Sequence, residues 1–337
     1  MIDKNTSTRT ETPCYALTVA ELARLTGAAS SAIVAATTAQ DLLKRGGRQL
    51  ALQPVFVRRY LAERGVDFSF RVIAHINLKG GVGKTTSTVS LASRAVQYGF
   101  RVGILDMDSQ GAASLAFGVV PADDDPIFID VWQRQEQVPM ALRKLQEGLF
   151  LLPSSLENGL LDISLGNPAA QKNAVRDVCA TLRQHGFDLI FIDCPPSLGA
   201  AVISSACAAD IVVIPVGYDA FSLKGLALTA AEIKAICETF GLAEPELRIL
   251  YTQFDRRVKQ CLSVLEKLRS QYGPRLLPVP IRTTTLFSRV SGCAKTVFAV
   301  TGQNSAKEDY DACLRCLLHI DTATTAAARS PYPDEKR

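Results

Sequence analysis

From residue 71 onward, short apolar runs alternate with longer amphipathic stretches. Apolar runs of about five to seven residues read as strands buried on both faces, and the stretches of about 10–15 residues between them as helices with one apolar stripe. The expected strands are Val72–Asn77, Val102–Asp106, Leu149–Pro153, Leu189–Asp193, Ile211–Val216, Arg248–Thr252 and Leu277–Ile281. The expected helices include Lys84–Tyr98, Ser197–Ala208, Leu223–Phe240, Val258–Tyr272 and Lys307–His319. With right-handed crossovers this alternation gives an α/β fold, a doubly wound and mostly parallel sheet. Such sheets bind ligands at the carboxyl ends of their strands, so residues just past strand ends are the first candidates. The longest apolar stretch, 198–216, contains Asp210 and Pro215 and reads as a helix followed by a strand, not as a membrane span.

Residues 17–66 carry a different pattern, that of a small helical domain. Thr18 with Glu21 three residues on is a capping box, Ala23 is small where two helices would cross, Gly27 suits the turn, and Ile33 suits packing of the second helix on the first. Lys44-Arg-Gly-Gly-Arg48 could form a short basic wing carrying Arg45 and Arg48, and Gln53–Leu61 reads as a further helix. This spacing resembles winged helix-turn-helix domains of the MerR kind. The second helix, 28–40, has no Lys or Arg, so phosphate contacts would fall to Arg24, Lys44, Arg45, Arg48, Arg58 and Arg59. Two readings stay open: binding of the protein's own operator DNA, or a module for dimerisation or partner docking.

The chain has 337 residues, 47% hydrophobic and 21% charged, enough for one large domain and a small one. A net charge of +4 permits contact with nucleic acid without demanding it. Nine cysteines without framework spacing, and a polar start with no apolar signal segment, point to the cytoplasm. Residues 1–16 and 321–337 are expected to be flexible tails.

The first strand runs into Leu78-Lys-Gly-Gly-Val-Gly-Lys-Thr-Thr86, which opens a helix. Gly80, Gly81 and Gly83 let the backbone curl so that its N–H groups, Val82 included, face phosphate oxygens at a helix amino end. Lys84 can reach the β- and γ-phosphates, and the Thr85 hydroxyl can ligate Mg²⁺. The strict G-x-x-x-x-G-K-[ST] pattern fails at Leu78, and a second lysine, Lys79, precedes the glycines instead.

Lys79-Gly-Gly-Val-Gly-Lys-Thr-Thr86 resembles the deviant Walker A motif of the ParA/MinD family of ATPases. The resemblance spans about residues 71–320, so a P-loop ATPase domain is expected over 70–320. It implies ATP and Mg²⁺ as cofactors, held by residues 79–86. Lys79 would reach the partner's phosphates in an ATP-dependent homodimer. Ile104-Leu-Asp-Met-Asp-Ser-Gln-Gly111 resembles the family's Walker A′ segment, which makes Asp108 the residue that activates water, while Asp106 holds the loop or touches the Mg²⁺ shell. Lys79, Lys84 and Asp108 are thus the catalytic candidates. Phe187–Ser197 resembles Walker B, with Asp193 holding Mg²⁺ through a water. Leu277-Pro-Val-Pro-Ile-Arg282 resembles the segment near the adenine, which puts Pro280 and Arg282 at the nucleotide.

The resemblance also implies nonspecific DNA binding, with Arg256, Arg257, Lys259, Lys267, Arg269, Arg275, Arg282, Arg289 and Lys295 as candidates, acting by phosphate neutralisation. The implied function is partition of plasmid or chromosomal DNA with a ParB-like partner that stimulates a weak ATPase, at the nucleoid in the cytoplasm. Alternatives are positioning of a non-DNA cargo and an ATP-switched transcriptional autoregulator. Membrane cycling of the MinD kind would need a basic amphipathic helix that 321–337 lacks. Cys194, and the Cys313/Cys316/His319 spacing, read as packing residues rather than cluster or zinc ligands.

Overall fold

The structure, a computed structural model, describes residues 15–44, 50–219, 221–291, 294–300 and 302–320. Residues 1–14 and 321–337, expected as tails, and Arg45 and Arg48, expected in a wing, lie outside the described residues.

Seven strands form the main sheet: β4 (Arg71–His75), β5 (Val102–Asp106), β6 (Arg143–Gln146), β7 (Leu149–Leu152), β8 (Leu189–Asp193), β9 (Ile211–Val216) and β10 (Glu246–Tyr251). Their order is β10-β9-β4-β8-β5-β7-β6, parallel throughout except for the β6–β7 edge pair. Every residue of β5, β8 and β9 is buried, as near-continuous apolar runs require when helices cover both faces. The chain is therefore an α/β P-loop fold with a mostly parallel central sheet.

Leu277–Ile281 is not a strand of this sheet. It runs along β10 with Leu277 N–H donating to Ile249 and Ile281 N–H to Tyr251, and isolated bridges form only at its two flanks, Leu276 with Ile249 and Arg282 with Phe254. Pro278 and Pro280 have no N–H to continue a ladder. The edge strand β6 and the helix Pro168–Gln184 were not expected from the sequence pattern. The helix after β8 starts at Ala200 rather than Ser197.

Helix α4 (Lys84–Gln97) packs on one face of the sheet, and small residues such as Ser87, Ala92 and Ala95 let neighbours approach closely. The helix Ser305–Leu317 lies against it, with Tyr310 and Ser87 hydroxyls 3.1 Å apart.

The same face carries the amino-terminal elements: β1 (Leu17–Thr18), α1 (Val19–Thr26), α2 (Ser30–Ala35), β2 (Leu42–Lys44), β3 (Leu50–Leu52) and α3 (Pro54–Ala62). The three strands form a small antiparallel sheet in the order β1-β3-β2. Thr18 and Glu21 make the capping box, and Gly27 ends α1 with φ 68°. Leu22, Ile33, Leu52, Phe56 and Val57 are buried in one apolar cluster with Val89, Ala92 and Val96 of α4. Tyr15 and Ala16, expected in the tail, are buried as well: the Tyr15 N–H donates to Gln146 at 3.0 Å and its ring meets Phe117. An aromatic ring with apolar surface to cover is held by packing that a polar-tail pattern does not reveal.

Candidate nucleotide-binding site

The loop 79–83 leaves the carboxyl end of β4 and closes on the first turn of α4. Gly81 and Gly83 stand at φ 73° and 88°, backbone that only glycine adopts freely. Gly83 caps the helix, so the free N–H groups of the first turn face the loop. Asn77 fixes the entry: its amide donates to the Pro215 carbonyl at 2.7 Å and its oxygen accepts from the Lys79 N–H at 2.9 Å.

The two lysines of the loop have different surroundings. Lys84 is buried, and its ammonium donates to the Lys79 carbonyl at 3.1 Å. Burial pulls its pKa below the ordinary value, and the Asp193 carboxylate, with Asp108 behind it, works in the other direction. Lys79 stays half-buried and its ammonium is paired with Asp219 at the rim, just past β9. Burial alone would raise the Asp219 pKa; the Lys79 ammonium, the Ser222 hydroxyl and the Phe221 N–H outweigh it and hold the carboxyl at about 2.

The carboxylates gather beside the loop because the sheet aligns them. Asp106 and Asp193 are direct neighbours in the β5–β8 register, and both are fully buried. Asp193 accepts from the Thr85 hydroxyl at 2.7 Å and from the Thr88 hydroxyl at 3.2 Å. Asp106 accepts from the Ser114 N–H at 2.8 Å, the Ser114 hydroxyl at 2.7 Å and the Asp108 N–H at 3.3 Å. Asp106 therefore holds the loop. Burial pushes both carboxyls well above the usual range, and Asp106 adds to the shift at Asp193. Buried carboxyls pushed upward in this way gain most from a cation.

That donor set fits Mg²⁺. A hydroxyl and a carboxylate from the protein leave room for the water and phosphate oxygens that this ion prefers. Among the described residues there is no cluster of three or more His, Cys, Asp or Glu to make an all-protein metal cage. Thr85 and Asp193 would hold the ion, which would neutralise phosphate charge. Asp108, half-buried with one carboxylate oxygen held by the Gln110 N–H at 3.0 Å, stands at the same edge.

Two residues at this edge have no counterpart in the sequence reading. The Thr252 hydroxyl donates to the Val82 carbonyl at 2.8 Å, and the Gln253 amide to the Gly81 carbonyl at 2.8 Å. Both follow β10, and only the strand-end rule could have drawn attention to them. Just beyond, a cavity of about 320 Å³ is lined by Phe254, Arg256, Arg257, Arg282, Thr283 and Ser305. Pro280 is buried, and the Arg282 guanidinium is engaged by Asp309 at 2.7 Å and Glu308 at 3.2 Å.

A family model described as an AAA domain matches residues 70–249. The chromosome partitioning protein ParA of Caulobacter vibrioides is 30% identical over 232 residues, 67% of this chain and 86% of that protein. The chain belongs to the ParA/MinD family of P-loop ATPases. The cell division protein PomZ of Myxococcus xanthus is 29% identical over 260 residues, 76% of this chain and 80% of PomZ. Among solved structures, cobyrinic acid a,c-diamide synthase of Mycobacterium smegmatis with a bound ATP analogue and magnesium superposes with a TM-score of 0.64 at 25% identity, covering 77% of this chain and 98% of that one. ATP and Mg²⁺ are accordingly the cofactors of this ParA/MinD-family chain, and ATP hydrolysis its chemistry. Among the described residues no helix is long and apolar enough to cross a membrane.

The remaining candidates of the sequence reading fall elsewhere. Arg256, Arg257, Lys259, Lys267, Arg269, Arg275, Arg289 and Lys295 are all exposed. Arg257 is ion-paired with Asp255 at 2.6 Å. Cys194 is buried inside the Walker B strand end, and burial drives its thiol pKa up to about 12, which keeps it an inert packing residue at neutral pH. Cys313 is buried too, with its Sγ 3.4 Å from the Val279 carbonyl.

Proposed function

We propose that this chain is a ParA-type motor that dimerises on ATP, binds DNA without sequence preference and drives partition of plasmid or chromosomal DNA. The observation that carries this reading is the placement of the two loop lysines. Lys84 is buried within its own loop, whereas Lys79 turns outward to a rim carboxylate. A lysine that its own loop does not use is available to phosphates presented by a second copy. Its charge would then complete the site only in the dimer, which links ATP binding to association.

In this reading Asp108 activates the attacking water, and hydrolysis is weak until a ParB-like partner stimulates it. The exposed arginines and lysines between Arg256 and Lys295 neutralise DNA phosphates. Residues 17–66 act as a winged helix-turn-helix unit, with Arg45 and Arg48 in the wing between β2 and β3 and the chain's own operator as a second DNA target. The exposed face of α2 carries Ser30, Ser31 and Val34 and no basic residue, which favours partner docking over base reading at that helix. A second reading, positioning of a cargo other than DNA, draws support from the likeness to PomZ, named a cell division protein.

One assay separates these readings: binding to random and own-promoter DNA, with ATP and with ADP, at two salt concentrations. ATP-dependent, salt-sensitive binding to random DNA is the expected result. Binding confined to promoter DNA would leave only the regulator, and no binding at all would leave the non-DNA cargo. For the dimer, Lys79→Ala should bind ATP yet sediment as a monomer; a normal ATP-bound dimer would remove Lys79 from its role.

A further inference from the structure

We infer that Gln253 is a positioning residue for ATP binding, acting through the carbonyl of Gly81. Its backbone stands at φ 57°, in the left-handed region that few residues other than glycine and asparagine enter. Such a conformation persists only where the surroundings over-determine it, and it recurs at sites where geometry matters. From this position the side chain crosses the carboxyl edge of the sheet to donate to Gly81 at 2.8 Å, beside the Thr252 hydroxyl that donates to Val82 at 2.8 Å. The acceptors are consecutive carbonyls of the phosphate loop.

Peptide planarity turns these two bonds into an orienting device. In a trans peptide the C=O and the following N–H point in opposite directions. Holding the Gly81 carbonyl toward Gln253 fixes the Val82 N–H facing away from it, and holding the Val82 carbonyl does the same for the Gly83 N–H. The glycines give the loop the freedom to form an anion-binding nest, and that same freedom has to be removed for the nest to be ready before nucleotide arrives. The Asn77 side chain and the Lys84 ammonium tether the Lys79 end of the loop. Gln253 and Thr252 tether the other end. Gly217 leaves the space this needs: a Cβ there would stand 3.2 Å from the Gln253 side-chain oxygen. An uncharged donor adds no competing charge beside the phosphates.

The test uses Gln253→Gly and Gln253→Asn in the full chain. Glycine adopts positive φ without strain and asparagine tolerates it, while neither reaches Gly81, so both variants should melt no lower than wild type. Affinity for both ADP and ATP should fall about tenfold, the loss of one orienting bond, with the KM for ATP raised by that factor and kcat unchanged. Gln253→Glu, which cannot donate to a carbonyl, should bind more weakly still. Wild-type affinity in the Gly and Asn variants would overturn the inference. So would a lowered Tm at unchanged KM, which would make the residue structural, or a lowered kcat at unchanged KM, which would put it in a later step.

Discussion

Helix α4 serves two regions built on different principles. Its amino end closes the phosphate loop, which brings together backbone N–H groups, two glycines at positive φ, one buried lysine and one carboxylate–hydroxyl pair. Its carboxyl end and outer face receive the amino-terminal elements, where apolar packing dominates. There Arg94 is buried between Asp311 at 2.6 Å and Glu21 at 3.7 Å, and Arg58 of α3 forks onto Asp188 at 2.5 and 2.9 Å. Gly99, at φ 87°, lets α3 sit so close that a Cβ would come within 2.6 Å of Arg58 Cβ. The first region gathers polar and charged groups at the sheet edge, an arrangement suited to a charged ligand. The second is an apolar cluster bordered by ion pairs that holds the amino-terminal elements on α4. Mutations should therefore separate them cleanly.

The largest effect is expected at the loop. Lys84→Ala should weaken ATP binding about a thousandfold, because a buried ammonium would be lost from the loop expected to hold the phosphates; titration calorimetry that finds tight ATP binding would overturn the assignment. In the other region, Phe56→Ala empties a fully buried ring site shared with α4 and should cost about 3–5 kcal/mol of stability. Chemical denaturation reads this, and ATP affinity of the folded fraction should be kept. A loss of ATP binding by the folded variant would show that the regions are not separable.

Next in size is Asp108→Ala, for which kcat should fall about a hundredfold with ATP affinity retained, the range for removing a general base. Unchanged turnover in a phosphate-release assay would take Asp108 out of the chemistry. The smallest effect is Arg58→Ala. Its guanidinium is partly exposed and Asp188 keeps the Arg101 N–H at 2.7 Å, so the loss should be only about 1–2 kcal/mol. A larger loss would mean that this ion pair, rather than the apolar cluster, fastens the amino-terminal elements.

Much of this was legible because it is local. The strand–loop–helix around Lys79–Thr86, the capping box of Thr18 and Glu21, and the turn at Gly27 each depend on neighbours a few residues away. The strand Leu277–Ile281 was misread because its apolar pattern is that of a strand while its prolines forbid the ladder. The buried place of Tyr15 was missed because its partners, Gln146 and Phe117, are more than a hundred residues distant.

The sequence by itself determined that a phosphate loop exists and that two lysines, Lys79 and Lys84, flank its glycines, since glycine geometry and a helix amino end follow from a contiguous segment. Only the tertiary structure decided the division of labour around that loop. It set Asp106 to hold Ser114 and left Asp193 with Thr85, because the β5–β8 register puts two carboxylates side by side and each must find donors. It paired Lys79 with Asp219, and it brought Gln253 across from β10 to Gly81. Hydrophobic periodicity says which face of a strand is buried. It carries no record of which strands are neighbours, and the partners of a polar group at a strand end depend on that order.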